Sequence, residues 1–305
     1  MSIGSARVRG VCPVIETPFT QDGAVDFESL EAVTRHAVGA GARQALSPAF
    51  ASEYYKLSDA ERAAVAQTVV DAVHSVDGTV AVVSVPDHAT RLAVENARRA
   101  VDMGADMVNI LPPHLQQPST AAVIAHVRAV LTAIGNTPAI LQYAPAQTGS
   151  TLTPQSIAQI AAECPNLVQV KVEAMPPGTF ISALAAAAPQ LESIVGYAGL
   201  QMIDARRRGA VAVQPGVSFV ELYLRVWSQW DSGDRDGAIA LHSRMVPYLS
   251  YWMQSVELII AAEKRISARR GLIATDVCRA PAHTLDDEEL AMIDRFLEEF
   301  ADALL

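Results

Sequence analysis

Lysine is nearly missing from this chain of 305 residues, which has only Lys56, Lys171 and Lys264. Cysteine is as scarce: Cys12, Cys164 and Cys278 are odd in number and far apart, with no C-x-x-C spacing or histidine-rich companion. That excludes a disulfide framework and a zinc module, and it reads as a reduced chain of the cytoplasm. No basic cluster offsets the net charge of -10 and the pI of about 5.2. Arg206, Arg207 and Arg208 form the longest basic run and read as a solvated helix end, so a nucleic-acid partner is not expected. No apolar stretch approaches the ~20 residues a membrane span needs, and the first residues carry no apolar signal core. No membrane association is expected. No low-complexity segment or linker rich in proline, glycine and serine divides the chain.

What the chain does have is an apolar half: 50% of its residues are hydrophobic, enough to bury a large core without metals or disulfides. Short β-branched runs alternate with alanine-rich segments of helical period, the pattern of βα units around a parallel sheet. Strands are expected over 10–17, 44–47, 80–85, 107–111, 139–143, 167–172, 193–195 and 211–214. Helices are expected over 27–40, 58–76, 90–103, 120–134, 154–162, 179–187 and 201–208. Ser58 followed by Glu61 forms a capping box, and Thr153 precedes Pro154 at a first helical position. Beyond 214 the pattern is helical throughout, with Trp227, Trp230, Tyr248, Tyr251 and Trp252 spaced to bury one face of each helix in a core or subunit contact. Eight βα units predict a (β/α)8 TIM barrel over 1–233 with a C-terminal helical extension over 234–305 packed on it.

The chemistry centres on Lys171, the only lysine inside an apolar strand, in Leu-Val-Gln-Val-Lys-Val-Glu. Burying an ammonium is costly, which favours the neutral amine that Schiff-base chemistry requires. The C-terminal strand ends of such a barrel carry the active site, and Lys171 is near the end of the sixth strand. The alternative is a buried lysine paired with Glu173 or another carboxylate. Tyr143 closes the fifth strand, one strand gap away, and a phenol beside an iminium is a proton shuttle; it is otherwise a packing residue of the rim.

Val-Ile-Glu-Thr17-Pro18-Phe19, Asp22-Gly23 with Asp26, Ser52-Glu53 with Leu57-Ser58 and Glu61-Arg62, then Tyr143 and Val170-Lys171, together resemble the dihydrodipicolinate synthase and N-acetylneuraminate lyase family over essentially the whole chain. The resemblance implies a barrel with a helical tail, a homotetramer or homodimer, and an imine between Lys171 and a 2-oxo acid, with Tyr143 as the family's strand-five tyrosine. It implies no metal and no organic cofactor, because the imine itself is the electron sink.

Several positions depart from the family pattern. Ala49-Phe50-Ala51-Ser52-Glu53 stands where the family usually has Gly-Thr-Thr-Gly-Glu, Leu115 where synthases place a tyrosine, and Gln147 where they place an arginine. Lysine-pathway synthesis and sialic acid cleavage are therefore not expected. Ser52-Glu53, the Ala-Pro segment leading to Thr151, and Arg270-Gly-Leu-Ile with Asp276, Arg279 and Pro281 are similar to the sugar-acid dehydratase branch. Ala51, Ser52, His114, Gln147 and Val213 are the expected substrate contacts: Ser52 on the carboxylate, His114 as an extra acid or base, and Gln147 as a neutral donor. Each has a plainer alternative, as a turn cap, a rim histidine or a solvated amide. The expected reaction is dehydration of a 2-keto-3-deoxy sugar acid. The alternatives are pyruvate-yielding aldol cleavage, in which Phe50 and Leu115 would favour an aromatic or hydrophobic aldehyde, and a non-catalytic oxo-acid-binding homologue.

Overall fold

A computed structural model describes residues 4–149 and 152–304. Thr151, part of the dehydratase-like segment, lies outside the described residues. In chain order the elements are β1 (Gly10–Val11), α1 (Phe27–Gly39), β2 (Gln44–Ser47), α2 (Asp59–His74), β3 (Val80–Val85), α3 (Thr90–Asp102), β4 (Met107–Ile110) and α4 (Thr120–Ala133). Next come β5 (Ala139–Tyr143), α5 (Pro145–Thr148), α6 (Pro154–Glu163), β6 (Leu167–Val172), α7 (Pro177–Ala187), β7 (Glu192–Val195), α8 (Met202–Arg207) and β8 (Ala212–Val213). The tail adds α9 (Val220–Asp231), α10 (Arg235–Trp252), α11 (Val256–Arg269) and α12 (Asp287–Glu299). The strands form one eight-stranded sheet in the order β1-β8-β7-β6-β5-β4-β3-β2. This is the TIM barrel, followed by a C-terminal helical part. Among the described residues no helix is long and apolar enough to cross a membrane.

The first strand is shorter than the expected span of 10–17. Pro13 has no N–H to give a ladder, so regular pairing stops at Val11 and resumes as isolated parallel bridges from Val14 to Leu46 and to Gly216. The eighth strand likewise shrinks to two residues ahead of Pro215. The anticipated helix starts hold: the Ser58 hydroxyl accepts from Glu61 N while the Glu61 carboxylate accepts from Ser58 N, and Thr153 and Ser156 close the same reciprocal pair at α6. The four-residue helix α5 was not anticipated.

The chain packs as two compact units, one holding residues 80–213 with the segment up to Arg9, the other residues 10–79 with 214 onward. In the first unit, β3 to β8 pair in parallel register, with Gln142 opposite Lys171 and Tyr143 opposite Val172. Side chains alternate along a strand, and pairing continues one residue past β6, where Glu173 N donates to Tyr143 O. Gln169, Lys171 and Glu173 therefore share one face. Gln169 holds the incoming N-terminal segment by both polar atoms, accepting from Val8 N and donating to Val8 O at 2.9 Å each. Lys171 and Glu173 lie toward the opposite, C-terminal end of the strand.

In the second unit an aromatic cluster fixes the tail. Phe296 lies edge-on to Phe219 and Trp252, with ring centroids 4.9 and 5.2 Å apart. Trp227, Trp230 and Trp252 are buried, as the helical spacing predicts, whereas Tyr251 is 39% exposed.

Candidate active site

Lys171 is buried in β6, its Nζ 3.5 Å from Glu173 Oε1. A buried ammonium needs such a partner, and this one is itself held. Glu173 Oε2 accepts from Gln142 Nε2 at 2.7 Å, and Gln142 Oε1 accepts from Asn109 Nδ2 at 2.9 Å. The same Asn109 amide donates to Ser84 Oγ at 3.0 Å. A hydrogen-bonded chain thus crosses β3, β4 and β5 and ends on the carboxylate beside the lysine. Gly196 makes room for that carboxylate, because a Cβ there would stand 2.2 Å from Glu173 Oε1. The next residue, Tyr197, has φ +51 and directs its N–H at Glu173 Oε1, 3.4 Å away. A non-glycine residue in left-handed backbone is uncommon and strained, and it is found here against the lysine's partner.

Tyr143 is buried, and burial raises its phenol above the ordinary value, so its hydroxyl stays protonated. Its ring stacks on Phe180 of α7, centroids 4.3 Å apart at 22°. By register it shares its strand face with Val172; Gln142, not Tyr143, stands opposite Lys171. Gln147 is exposed on α5 and donates to the Tyr197 hydroxyl at 3.0 Å. His114, half-buried beyond β4, faces His88 beyond β3 with ring centroids 4.3 Å apart. Burial first, and then the neighbouring His114, lower the basicity of His88. Leu115 is 67% exposed. Val213 is fully buried in β8, paired with Val195.

In the second unit Ser52 is fully buried and spends its polar groups on the local turn. Its hydroxyl donates to Ile15 O and accepts from Ala49 N, and its amide donates to Ala49 O. Its carbonyl accepts from the Thr17 hydroxyl at 2.7 Å. Next to it Glu53, at φ +52 and fully buried, accepts from Lys264 Nζ, from Lys56 Nζ at 3.1 Å and from Arg279 N at 3.2 Å. This ties the loop after β2 to the C-terminal tail.

Half-buried Ala51 lines a small cavity with Val14, Ile259, Ile260 and two buried acids, Glu16 and Glu263. Both Glu16 oxygens lack a hydrogen-bond partner among the described residues. Burial raises both carboxyls; in Glu263 the adjacent Glu16 charge adds to it, and the group is pushed up to about 8. The folded chain therefore keeps on Glu263 a proton that the unfolded chain releases near the ordinary value of 4.5. Its contribution to stability is fully present below that ordinary value and is lost as pH rises through the folded one, by about 1.4 kcal/mol per pH unit. Glu263→Gln, which has no charge to release, should leave stability near pH 4.5 little changed and raise it near pH 8 by about 4 kcal/mol. Urea midpoints at the two pH values check this; an equal shift at both would show that the carboxyl is not held protonated.

The profile of the dihydrodipicolinate synthetase family matches residues 7–300. The chain belongs to this family. It is 30% identical over 300 residues to 4-hydroxy-tetrahydrodipicolinate synthase 1 of Streptomyces coelicolor, covering 97% of this chain and 95% of that one. Among solved structures it matches dihydrodipicolinate synthase from Rhodopseudomonas palustris at 25% identity and TM-score 0.87, over 95% of this chain and 97% of the other. A catalytic lysine mutant of the Ruminococcus gnavus sialic acid aldolase shares the fold at 21% identity and TM-score 0.87, with 98% of each chain covered. The protein is thus an enzyme of lyase type in a dihydrodipicolinate synthetase family with both synthase and aldolase neighbours.

For this family member the sequence reading singled out Lys171 and weighed Glu173 only as a rival explanation for it. Nothing in the local sequence points to Ser84, Asn109, His88 or the link that Gln142 makes to Glu173. A signal for Glu173 was present, since two residues along a strand is one full side-chain period.

Proposed function

We propose that this dihydrodipicolinate synthetase family member is a Schiff-base lyase that dehydrates a 2-keto-3-deoxy sugar acid through an imine on Lys171. The observation that carries the reading is a buried lysine near the C-terminal end of β6, where barrel enzymes carry their chemistry, held beside a carboxylate that can take its proton. The Lys171 amine adds to the 2-oxo carbon, and loss of water leaves an iminium that acidifies C3. Removal of the C3 proton gives an enamine, which expels the C4 hydroxyl as water once that hydroxyl is protonated. The Tyr143 phenol, kept protonated by burial, suits the donor's part. Ala51, Ser52, His114, Gln147 and Val213 remain the proposed substrate contacts, Ser52 through the turn it stabilises. A homotetramer or homodimer belongs to the same reading.

The dehydratase specificity draws its support from Phe50, Ala51, Leu115 and Gln147, which bring neither the hydroxyls nor the guanidinium of the synthase pattern. Incubation with a panel of 2-keto-3-deoxy pentonates and hexonates, followed by NMR, tests it. The expected product has lost one water and kept its carbon chain. Release of pyruvate and an aldehyde would replace dehydration by aldol cleavage, the second reading, in which the apolar Phe50 and Leu115 favour an aromatic or hydrophobic aldehyde. Rescue of a diaminopimelate-requiring strain by this gene would overturn the specificity argument, and no turnover of any oxo acid would leave a binding protein.

A further inference from the structure

We propose that Glu173 is the catalytic acid–base group of imine formation, carrying protons between Lys171 Nζ and the oxygen that leaves as water. The inference rests on the Schiff-base reading above and adds to it the group that performs its first step.

An ammonium must lose two of its three protons on the way to a protonated imine, and the departing carbonyl oxygen must gain two. Glu173 is placed for both transfers. It lies on the same strand face as Lys171, one side-chain period further toward the C-terminal end, with Oε1 3.5 Å from Nζ. That separation is an ion pair rather than a closed hydrogen bond, so Oε1 is free to exchange Nζ for an oxygen on the carbon that Nζ attacks. The other oxygen is anchored by Gln142 at 2.7 Å, and Gln142 is held in turn by Asn109. Gly196 leaves the space the carboxylate occupies, and Tyr197 N approaches Oε1. Tyr143 cannot do the same work: its register sets it beside Val172, its ring is stacked on Phe180, and a phenol kept protonated gives a proton but does not remove one from an ammonium.

The Glu173 carboxylate takes one proton from the Lys171 ammonium. The Nζ lone pair then forms the bond to the 2-oxo carbon, and the C=O π pair moves to oxygen. Glu173 gives its proton to that oxygen and takes a second from Nζ, leaving a neutral carbinolamine. It returns this second proton to the hydroxyl, the C–O bond breaks with release of water, and the nitrogen lone pair makes the C=N bond. Glu173 ends as a carboxylate facing the iminium, with no oxidant or further reactant consumed.

The test is rapid-quench borohydride trapping with pyruvate between pH 5 and 9, reading adduct mass at Lys171 for the wild type, Glu173→Gln and Glu173→Asp. Glu173→Gln keeps the side-chain volume and an acceptor for Gln142 and should slow adduct formation by about 100-fold or more, the ordinary size of a lost acid–base group. Glu173→Asp, which keeps a carboxylate on a shorter arm, should form the adduct faster than Glu173→Gln and more slowly than the wild type. Trapping by Glu173→Gln within threefold of the wild type overturns the proposal. If that variant fails to fold, Glu173→Ala with added formate decides: saturable acceleration by formate supports the proposal, and an unchanged rate at every formate concentration overturns it. A wild type that yields no adduct on Lys171 refutes the Schiff-base reading itself, an outcome distinct from one in which both proteins trap equally.

Discussion

Lys171→Arg abolishes turnover of any 2-oxo acid and every borohydride-trapped adduct while leaving the folded barrel in place. Arginine keeps the positive charge and offers Glu173 a planar fork that pairs with a carboxylate at least as well as an ammonium does, so the strand face loses little. Its guanidinium does not deprotonate at any working pH and forms no imine. Loss of a covalent nucleophile costs on the order of 10⁴- to 10⁶-fold in kcat. The other two lysines are poor substitutes. Lys56 is paired with Glu53 and Glu257, and Lys264 is fully exposure-free, bonded to Glu53 and to Val277 O. Mass spectrometry after reduction with pyruvate measures this directly, and an adduct on either of those lysines in the wild type would remove Lys171 from the mechanism.

How much of this was legible in advance depended on distance along the chain. The eight strands and their helices follow from local periodicity, and the caps at Ser58 and Thr153 lie within three residues of their partners, so both could be read directly. The short first strand was misjudged because β-branched composition over 10–17 outweighed one proline whose missing N–H stops the ladder. Lys171 stood out because an apolar strand leaves a lysine conspicuous. The chain from Ser84 through Asn109 and Gln142 to Glu173 did not, since each link comes from a different strand and only the barrel's register aligns them. The same holds for Glu53 and Lys264, 211 positions apart, and for Glu16 and Glu263, far apart in the chain and brought together at one cavity. Ser52 shows the converse. Its residue type and motif suggested a ligand contact, and the structure uses its hydroxyl to build the turn.

That turn is held by a buried ion pair, and its loss is the largest stability effect the structure predicts. Glu53 and Lys264 are both without solvent exposure, and Lys264 also lies over the Phe19 ring at 4.2 Å. Glu53→Gln preserves the shape of the side chain and most of its hydrogen bonding but leaves the Lys264 ammonium in the interior without the carboxylate it is bonded to, beside Val277 O and the Phe19 ring face. Breaking one side of a buried pair costs about 3–5 kcal/mol, most of it the uncompensated charge rather than the lost attraction. The urea midpoint should fall accordingly. Removing both charges should be milder: Glu53→Gln with Lys264→Met replaces the orphaned ammonium by an apolar chain of similar length, so the double variant should recover more than 1 kcal/mol relative to the sum of the single changes. Lys56 sharpens the test, because in Lys264→Met alone it still neutralises Glu53 at 3.1 Å, so that variant should be the less damaging of the two. Additive losses, or a Lys264→Met that is worse than Glu53→Gln, would mean that the loop after β2 is held by its turn hydrogen bonds from Ser52 and Thr17 and not by the charge pair.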